Sequence, residues 1–367
     1  MKHINKILSG ITLLCALTAF AFIVTGNGSQ AGPFLTAFFV FLSITLRRFT
    51  STRGFSYTIL IFAAVTAAMY YPSSFVSIQG FQLKTLMVPL LQIIMFGMGT
   101  AMSINDFAGV IKSPKTVLIG LMCQFTIMPI LGFGLATIAG FPAEIAAGVV
   151  LIGSSPSGLA SNVMAYLAKA NLALSVTLTA VATLISPIMT PFLMKIFAGQ
   201  FVPIDFWGMM LSIVKIVILP IIAGLVFNRI FHGKVKWLDK AMPIISMGSI
   251  AFIITIITAA GRDSLLTIGL ALVMIAIIHN GFGYFLGYWS CRLMKLDEQS
   301  CRTIALEVGM QNGGLASGIA LEMGKVSTVG LAPAVFGPWM NISGSSLATY
   351  WRDKPIKTTE KDKQGTE

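Results

Sequence analysis

The chain has 367 residues, of which 56% are hydrophobic and 10% are charged, and its mean hydropathy is +0.85. Soluble domains contain roughly 25% charged residues, so this composition excludes a soluble protein and predicts a polytopic membrane protein. The net charge of +12 comes from Lys and Arg clusters between apolar runs, as in topology signals, which argues against a nucleic-acid partner.

Hydrophobic runs long enough for membrane helices occur along the whole chain. A spanning helix needs about 20 mostly apolar residues, and short joints with turn residues separate such runs here. No joint is long enough for an extramembrane domain. The runs predict an all-α polytopic fold of twelve segments, at residues 7–25, 31–46, 55–75, 85–103, 116–139, 145–168, 172–197, 206–227, 241–260, 264–290, 299–323 and 328–350.

The first two segments predict an extra N-terminal hydrophobic hairpin within residues 1–53. Its basic start and apolar centre are also typical of a signal peptide. No A-x-A cleavage pattern follows the apolar run, however, because the triplet Ala19-Phe20-Ala21 lies within it, and Leu14 precedes Cys15, where a lipoprotein signal has a small residue. We therefore favour an uncleaved hairpin, whose second arm is short for a full membrane span.

The distribution of Lys and Arg predicts the orientation. Basic residues gather on the cytoplasmic side of membrane proteins. With the N-terminus inside, the outer joints contain only Lys84, Lys195, Arg262 and Lys325. Both termini, including the polar tail 352–367, are therefore predicted to be cytoplasmic.

The tetrapeptide Gly-Leu-Ala-Ser occurs twice, at 158–161 and 314–317. After the hairpin, five segments lie on each side of the joint at 198–205, and the fourth segment of each five contains one copy. Because five is odd, the second set crosses the membrane in the opposite sense, which predicts an inverted-topology repeat. The predicted domains are the N-terminal hairpin 1–53, the first repeat 54–197, the second repeat 198–351 and the polar tail 352–367.

Glycine and proline interrupt the two segments that contain this tetrapeptide. The stretch "GSSPSG" at 153–158 breaks the first, and "VGMQNGG" at 308–314 breaks the second. Unwound backbone at membrane depth is tolerated only where protein, water or a ligand satisfies its polar groups. The broken ends offer carbonyls to a cation and amides to an anion, which indicates a transport site.

Glu307 lies inside the second interrupted segment, whereas Glu144 and Glu322 lie near segment ends. Packing between helices would explain the small residues there, but it would not explain a carboxylate. A carboxylate in the membrane must be protonated, paired or bound to a cation. We therefore expect a functional role for Glu307.

Other polar residues within the hydrophobic segments allow two interpretations each. Lys215, about ten residues into its segment, either attracts anions into a cavity or reaches a polar partner. His279, next to Asn280, either relays protons or forms a neutral hydrogen-bonded contact, which we favour. Ser175 and Thr179 lie one helical turn apart, so their hydroxyls either face one ion together or bond back to their own helix.

Several stretches, in conserved order along residues 54–351, resemble the bile acid:sodium symporter family, in particular its bacterial members. They are "IMFGMG" (94–99), "CQFTIMP" (123–129), "ASNVMAYLAKANLALSVTLTAVATLISP" (160–187), "SIVKIVILP" (212–220), "HNGFGY" (279–284), "EVGMQN" (307–312) and "NISGSSLATYW" (341–351). The resemblance implies a core domain with two broken, crossing helices and a panel domain, which move against each other in alternating access. It also implies the inner (plasma) membrane of a bacterium, and it leaves residues 1–53 without a counterpart.

The resemblance implies two sodium sites, in which sodium is a transported ion and not a cofactor. One contains Ser161, Asn162, Ser175, Thr179 and Glu307, and the other contains Gln124, Gln311, Glu307 and the backbone carbonyls of Val308 and Met310. Oxygen ligands suit a hard cation. Two sodium ions on one carboxylate leave a net positive charge that an anionic substrate neutralises, so the ions and the substrate favour each other's binding. Proton coupling at Glu307 is the alternative.

The resemblance also implies that a substrate carboxylate binds at the second half-helices. The matching groups are the amides of Ser157, Gly158, Leu159 and Ala160, together with Asn312 and Gly313. Ser157-Gly158-Leu159 stands where members often have Gly-Gly-Thr, so a threonine hydroxyl is missing here while the backbone contacts remain. The predicted function is sodium-coupled symport of a small organic anion, whether bile-acid-like, pantoate-like or another carboxylate.

Other functional classes find less support. An intramembrane enzyme would need a motif such as HExxH, GxSxG or paired aspartates, and none lies at a suitable depth. A channel or a receptor has no need for sodium ligands. The four cysteines lack CxxC spacing, so the sequence predicts neither disulfides nor a zinc site. No cofactor and no protein partner are expected; the expected partners are sodium, the organic anion and the lipid bilayer.

Overall fold

The computed structural model describes residues 2–49, 52–103, 106, 108–231 and 235–354, and most of these residues are helical. In chain order the helices are α1 (Lys2–Val24), α2 (Gly32–Arg47), α3 (Ser56–Tyr70), α4 (Ser73–Val76), α5 (Met87–Ala101), α6 (Ala108–Lys112), α7 (Pro114–Ile138), α8 (Ala143–Ser154) and α9 (Ala160–Leu167). They continue with α10 (Leu172–Leu193), α11 (Phe206–Ile213), α12 (Leu219–Phe231), α13 (Lys236–Ala260), α14 (Arg262–Leu293), α15 (Glu298–Gly309), α16 (Gly313–Glu322) and α17 (Leu331–Arg352).

Short elements complete the fold. The strands β1 (Ser77–Ile78) and β2 (Phe81–Gln82) pair antiparallel. Single π-helical turns follow α10 and join α11 to α12; they are Met194–Ala198 and Val214–Ile218. Short 3-10 helices are Gly28–Ala31, Arg53–Phe55 and Leu83–Leu86.

The hydrophobic segments predicted from the sequence all coincide with helices. Eight of the described helical stretches are long and apolar enough to cross a membrane, and Ser56–Tyr70 and Ala143–Ser154 are shorter apolar helices. The protein is therefore an all-α polytopic membrane protein. The inverted sense of the two repeats and the domain boundaries stay predictions, and the tail predicted at 352–367 lies outside the described residues from 355 onward.

Side chains at the helix starts explain several of the boundaries. Asn171 accepts a hydrogen bond from the Leu174 amide at the start of α10, and Asp297 accepts one from Ser300 at the start of α15. Such caps satisfy amides that have no partner within the helix. Gly140 follows α7 with a φ of +61°, a left-handed conformation that favours glycine at a helix end.

The N-terminal hairpin packs on α3 through α2. The Ser43 hydroxyl donates to the Ser56 carbonyl at 2.7 Å, and the Ser56 hydroxyl donates to the Ser43 carbonyl at 2.9 Å. Close to the other end of α3, Gly32 lies against the ring of Tyr70, where a larger residue would collide. On α1, apolar side chains such as Phe20 are exposed, which suits contact with lipid.

The remaining long helices form two groups. Helices α3, α5, α12 and α13 pack against one another and form the panel group. Helices α7 to α10 and α14 to α17 form the core group, which contains both interrupted helices. The core group contacts the panel group mainly through α16 and α17.

Candidate functional site

The two predicted interruptions are confirmed, and they lie against each other. The first separates α8 from α9 and the second separates α15 from α16. The Gly158 amide donates to the Met310 carbonyl at 3.0 Å, and the Asn312 amide donates to the Pro156 carbonyl at 2.7 Å. Ser157 and Gln311 thus form an isolated antiparallel bridge. This bridge satisfies backbone groups that the helix breaks release, as burial requires.

Close backbone approach explains glycine in the first interruption. A Cβ atom on Gly153 would lie 2.5 Å from the Met128 carbonyl oxygen, a backbone atom that has little freedom to move. A Cβ atom on Gly158 would lie 3.2 Å from the Gln311 carbonyl oxygen. A larger residue at position 153 would therefore push α8 away from α7, and one at position 158 would push the two interrupted helices apart.

Glu307 lies at the centre of this crossing and is only 2% exposed. Its Oε1 accepts hydrogen bonds from Ser161 Oγ and Ser175 Oγ, each at 2.6 Å. Its Oε2 accepts one from Ser157 Oγ at 2.6 Å and one from Thr179 Oγ1 at 2.9 Å. The carboxylate thus connects α15 to the first interruption, to α9 and to α10. We call these four hydroxyl-bearing side chains the hydroxyl cluster.

Oxygen atoms outnumber the available protons around this carboxylate. Ser161 Oγ also lies 2.8 Å from the Gly158 carbonyl. Asn162 Oδ1 lies 2.8 Å from Ser175 Oγ and 3.2 Å from Thr179 Oγ1. A hydroxyl has one proton, so each of these three hydroxyls can donate to only one of its oxygen neighbours. The remaining oxygen pairs repel each other unless a cation, or a proton on the Glu307 carboxyl, lies among them.

A second set of polar side chains, the amide cluster, consists of Gln124 and Gln311. Gln124 Nε2 donates to Gln311 Oε1 at 2.7 Å and to the Ser155 carbonyl at 3.0 Å. Gln311 Nε2 donates to the Val308 carbonyl at 2.6 Å. Gln124 Oε1 is buried without a hydrogen-bond partner among the described residues. This oxygen is an unused acceptor beside the helix break.

The structure brings together only part of the second predicted sodium site. Gln124, Gln311 and the Val308 carbonyl are linked, whereas the Met310 carbonyl accepts the Gly158 amide in the crossing. Among the side chains that the structure describes, no hydrogen bond joins Glu307 to either glutamine of the amide cluster. The first predicted set is complete, and it contains one additional member, the Ser157 hydroxyl.

A cavity of about 210 Å³ lies between the panel group and the crossing. The predicted substrate residues that line it are Gly158, Leu159, Ala160, Asn312 and Gly313. Ser157 does not line it, because its hydroxyl is directed at Glu307. The other lining residues are Ile61, Ile94, Met95, Met98, Ser246, Met247, Ile250, Ile253, Ile254, Met310, Gln311, Gly314, Ser317, Pro333, Gly337, Met340 and Asn341, so no lining side chain is charged.

Backbone amides at the starts of α9 and α16 face this cavity without partners. The amides of Gly158 and Gly313 donate to backbone carbonyls of the second interruption. Within the described part of the chain, the amides of Leu159, Ala160 and Gly314 have no hydrogen bond, and all three residues line the cavity. Free amides at helix starts, together with the positive end of the helix dipole, attract an anion.

Lys215 and His279 differ in their surroundings. Lys215 lies in the π-helical turn between α11 and α12, its side chain is exposed, and it does not line the cavity. Its backbone carbonyl accepts from Gln92 Nε2 at 3.4 Å. His279 is fully buried, and its Nε2 lies 3.0 Å from the Met128 carbonyl, as a packed, hydrogen-bonded histidine would.

The sequence did not reveal the role of Asn280. Its Nδ2 donates to the Gly309 carbonyl at 2.6 Å, and its Oδ1 accepts from Ser343 Oγ. Gly309 is the last residue of α15, so its carbonyl loses its helical partner at the interruption. A buried asparagine inside an apolar segment was the only available signal, and its partner comes from a distant part of the chain. The polar cavity residues Ser246, Ser317 and Asn341 were not predicted either.

Comparisons with known proteins found similar sequences among transporters. Residues 88–269 match the family model of the Sodium Bile acid symporter family. The chain is 40% identical over 313 residues to the sodium-dependent transporter YocS of Bacillus subtilis (strain 168), covering 85% of this chain and 95% of that protein. It is 34% identical over 270 residues to the probable chloroplastic sodium/metabolite cotransporter BASS1 of Arabidopsis thaliana, covering 74% of this chain and 67% of that protein.

Proposed function

This chain belongs to the sodium bile acid symporter family, a family of sodium-dependent transporters, and on that premise we propose that it carries a small organic anion across a bacterial plasma membrane in symport with sodium. The transport would proceed by alternating access. The geometry of the crossing supports the choice of site residues and of sodium as the coupling ion.

The observation that carries the proposal is the environment of Glu307. A carboxylate that is 2% exposed accepts four hydroxyl hydrogen bonds, while the hydroxyls lack protons for all their oxygen neighbours. A hard cation takes oxygen ligands and would remove the repulsion between these oxygens. We assign the first sodium ion to Ser161, Asn162, Ser175, Thr179 and Glu307.

We assign a second sodium ion to the amide cluster and the neighbouring carbonyls of Val308 and Met310. The unused Gln124 Oε1 supports this assignment, because a buried acceptor without a partner costs free energy. Binding would require the Gln311 amide to turn its oxygen inward and release the Val308 carbonyl. Glu307 would then be shared between the two ions.

The cavity beside the crossing supports an anionic substrate. Two sodium ions on one carboxylate leave one positive charge, and the free amides of Leu159, Ala160 and Gly314 add donors. No charged side chain lines the cavity to repel or replace an anion. Because both helix groups line the cavity, a movement of one group against the other would change the side to which it opens.

Thermal unfolding of the purified protein in detergent tests the proposal. Organic acids are screened in sodium chloride and in choline chloride at equal ionic strength. A ligand that binds the folded state stabilises it more the tighter it binds, by RT ln(1 + [L]/Kd), so a substrate is expected to raise the unfolding temperature much more in sodium. An acid that stabilises the protein equally in both salts would contradict sodium coupling, and a response to pH in its place would indicate protons.

A further inference from the structure

Arg302 is a charged side chain of α15 that the ion and substrate sites do not use. It is only 2% exposed and lies between Glu298 at the start of the helix and Glu307 near its end. A buried guanidinium is costly unless its donors are paired. Its Nε donates to Glu298 Oε1 at 2.9 Å, and its planar head lies 5.9 Å from the centre of the Trp351 ring.

The other contacts of Arg302 join helix ends. Nη1 donates to the Trp351 carbonyl at 3.0 Å and to the Ala168 carbonyl at 3.3 Å. Ala168 follows the last residue of α9, and Trp351 lies in the last turn of α17. Terminal carbonyls lack partners within their own helix and form the negative end of its dipole, so a cation there is favourable.

Helix α9 is short and contributes Ser161 and Asn162 to the first sodium site. Its start is fixed by the crossing with the second interruption. Near its end, the other polar contacts with α15 lie beyond residue 168: the Asn171 amide lies 3.4 Å from the Gln299 carbonyl, Gln299 Nε2 lies 3.5 Å from the Lys169 carbonyl, and Thr303 Oγ1 lies 3.1 Å from the Asn171 carbonyl. Among these contacts of the described residues, the one from Arg302 comes from a charged group and reaches the residue directly after α9.

We propose that Arg302 is a positioning residue for the sodium site: it ties the end of α9 to α15 and so holds Ser161 and Asn162 beside Glu307. The inference rests on the proposed function, since it assumes that these oxygens bind sodium. It assigns Arg302 no contact with the ion or the substrate.

The test compares Arg302→Gln with the control Arg292→Gln. Arg292 Nη1 also lies near Glu298, at 3.7 Å, but its side chain is 46% exposed. Both variants remove a positive charge next to the same carboxylate, and no contact of Arg292 with the ends of α9 or α17 is recorded among the described residues. The measurement is the sodium concentration at half-saturation, read from thermal unfolding of the full chain in sodium chloride balanced with choline chloride.

For Arg302→Gln we expect a half-saturation concentration at least about tenfold higher, and for Arg292→Gln a change of less than about twofold. Arg302→Lys keeps the charge but loses the planar fork, so it should lie between them. If Arg302→Gln does not fold, a half-saturation raised about threefold in Arg302→Lys supports the inference, and an unchanged value overturns it.

Two results would overturn the inference. A merely structural role would lower the unfolding temperature of Arg302→Gln and leave its sodium half-saturation equal to that of the unsubstituted protein. An equal increase in Arg292→Gln would show that charge next to Glu298, and not the link to α9, sets the affinity. A complete lack of sodium response in the unsubstituted protein is a different result, because it would contradict the proposed function itself.

Discussion

The hydroxyl cluster and the amide cluster surround the same helix crossing, but they differ in how completely their atoms are arranged for a cation. Around Glu307, the four hydroxyls lie 2.6 to 2.9 Å from the carboxylate oxygens. In the amide cluster, the two glutamines point nitrogen donors at carbonyl oxygens, and Gln124 Oε1 has no partner there. The hydroxyl cluster is therefore already arranged for a cation, whereas the glutamine side chains of the amide cluster must first rotate.

This difference predicts an order of binding. The first ion would bind in the hydroxyl cluster at little conformational cost, because its ligands are held in place by α9, α10 and α15. The second ion would bind more weakly, since the reorientation of Gln311 lowers its apparent affinity. Both ions depend on one carboxylate, so the two clusters are coupled through Glu307.

The largest expected effect comes from Glu307→Gln, which keeps the shape of the side chain and removes the charge that both clusters share. We expect sodium affinity to fall by at least about 100-fold, which is about 2.7 kcal/mol. In choline chloride the variant should be at least as stable as the unsubstituted protein, because it no longer buries a charge. Thermal unfolding in the two salts measures both effects, and a sodium response that persists unchanged would refute the shared role.

Ser175→Ala should have the next largest effect, because Ser175 Oγ contacts both Glu307 and Asn162. We expect sodium half-saturation to rise about tenfold, in line with the loss of one charge-assisted contact. Ser346→Ala is the control, since its exposed hydroxyl donates only to the Ile342 carbonyl of its own helix. Equal sodium titrations for the two variants would mean that Ser175 is not a ligand.

Gln124→Ala should alter the amide cluster and leave the hydroxyl cluster unchanged. We expect a shallower titration and no rise in the half-saturation concentration of the ion that remains, because the weaker second ion is lost while the tighter first ion still binds. Gln92→Ala is a matched control, since Gln92 Nε2 reaches only the distant Lys215 carbonyl at 3.4 Å. A titration curve of unchanged steepness for Gln124→Ala would remove the second site from the proposal.

The smallest effect is expected at Glu144, which lies away from both clusters at the start of α8. Its hydrogen bond with Lys325 lowers the pKa of the Glu144 carboxyl, so the contact stabilises the protein at neutral pH and is lost as the pH falls through that lowered pKa. The pair is partly exposed to solvent, which screens the contact, so Glu144→Gln should cost less than about 1 kcal/mol near pH 7 and nothing in acid. Unfolding temperatures across this pH range check the sign, and sodium half-saturation should stay unchanged.

Local features of the sequence predicted much of the fold and part of the site. Hydrophobic runs and short joints predicted the helices, and the clusters of glycine and proline predicted both interruptions. An isolated carboxylate identified Glu307, and the spacing of Ser175 and Thr179 allowed both to face it. These features need only a few neighbouring residues to be recognised.

Long-range contacts account for what the sequence did not predict. The backbone amide of Ser157 was assigned to the substrate, whereas the contact of its hydroxyl with Glu307, beside the bridge to Gln311, was not predicted. Asn280 satisfies the Gly309 carbonyl from a separate helix. Arg302 reads as an ordinary polar residue near a segment end until its two carbonyl partners are known. Each of these contacts depends on how distant helices pack.

Equilibrium binding of radioactive sodium to the purified chain tests most directly whether the oxygens around Glu307 hold cations. We predict saturable binding that approaches two ions per chain, with the first half clearly tighter than the second, and no saturable binding to Glu307→Gln. A lack of saturable binding to the unsubstituted chain, or equal binding to both proteins, would contradict the central claim.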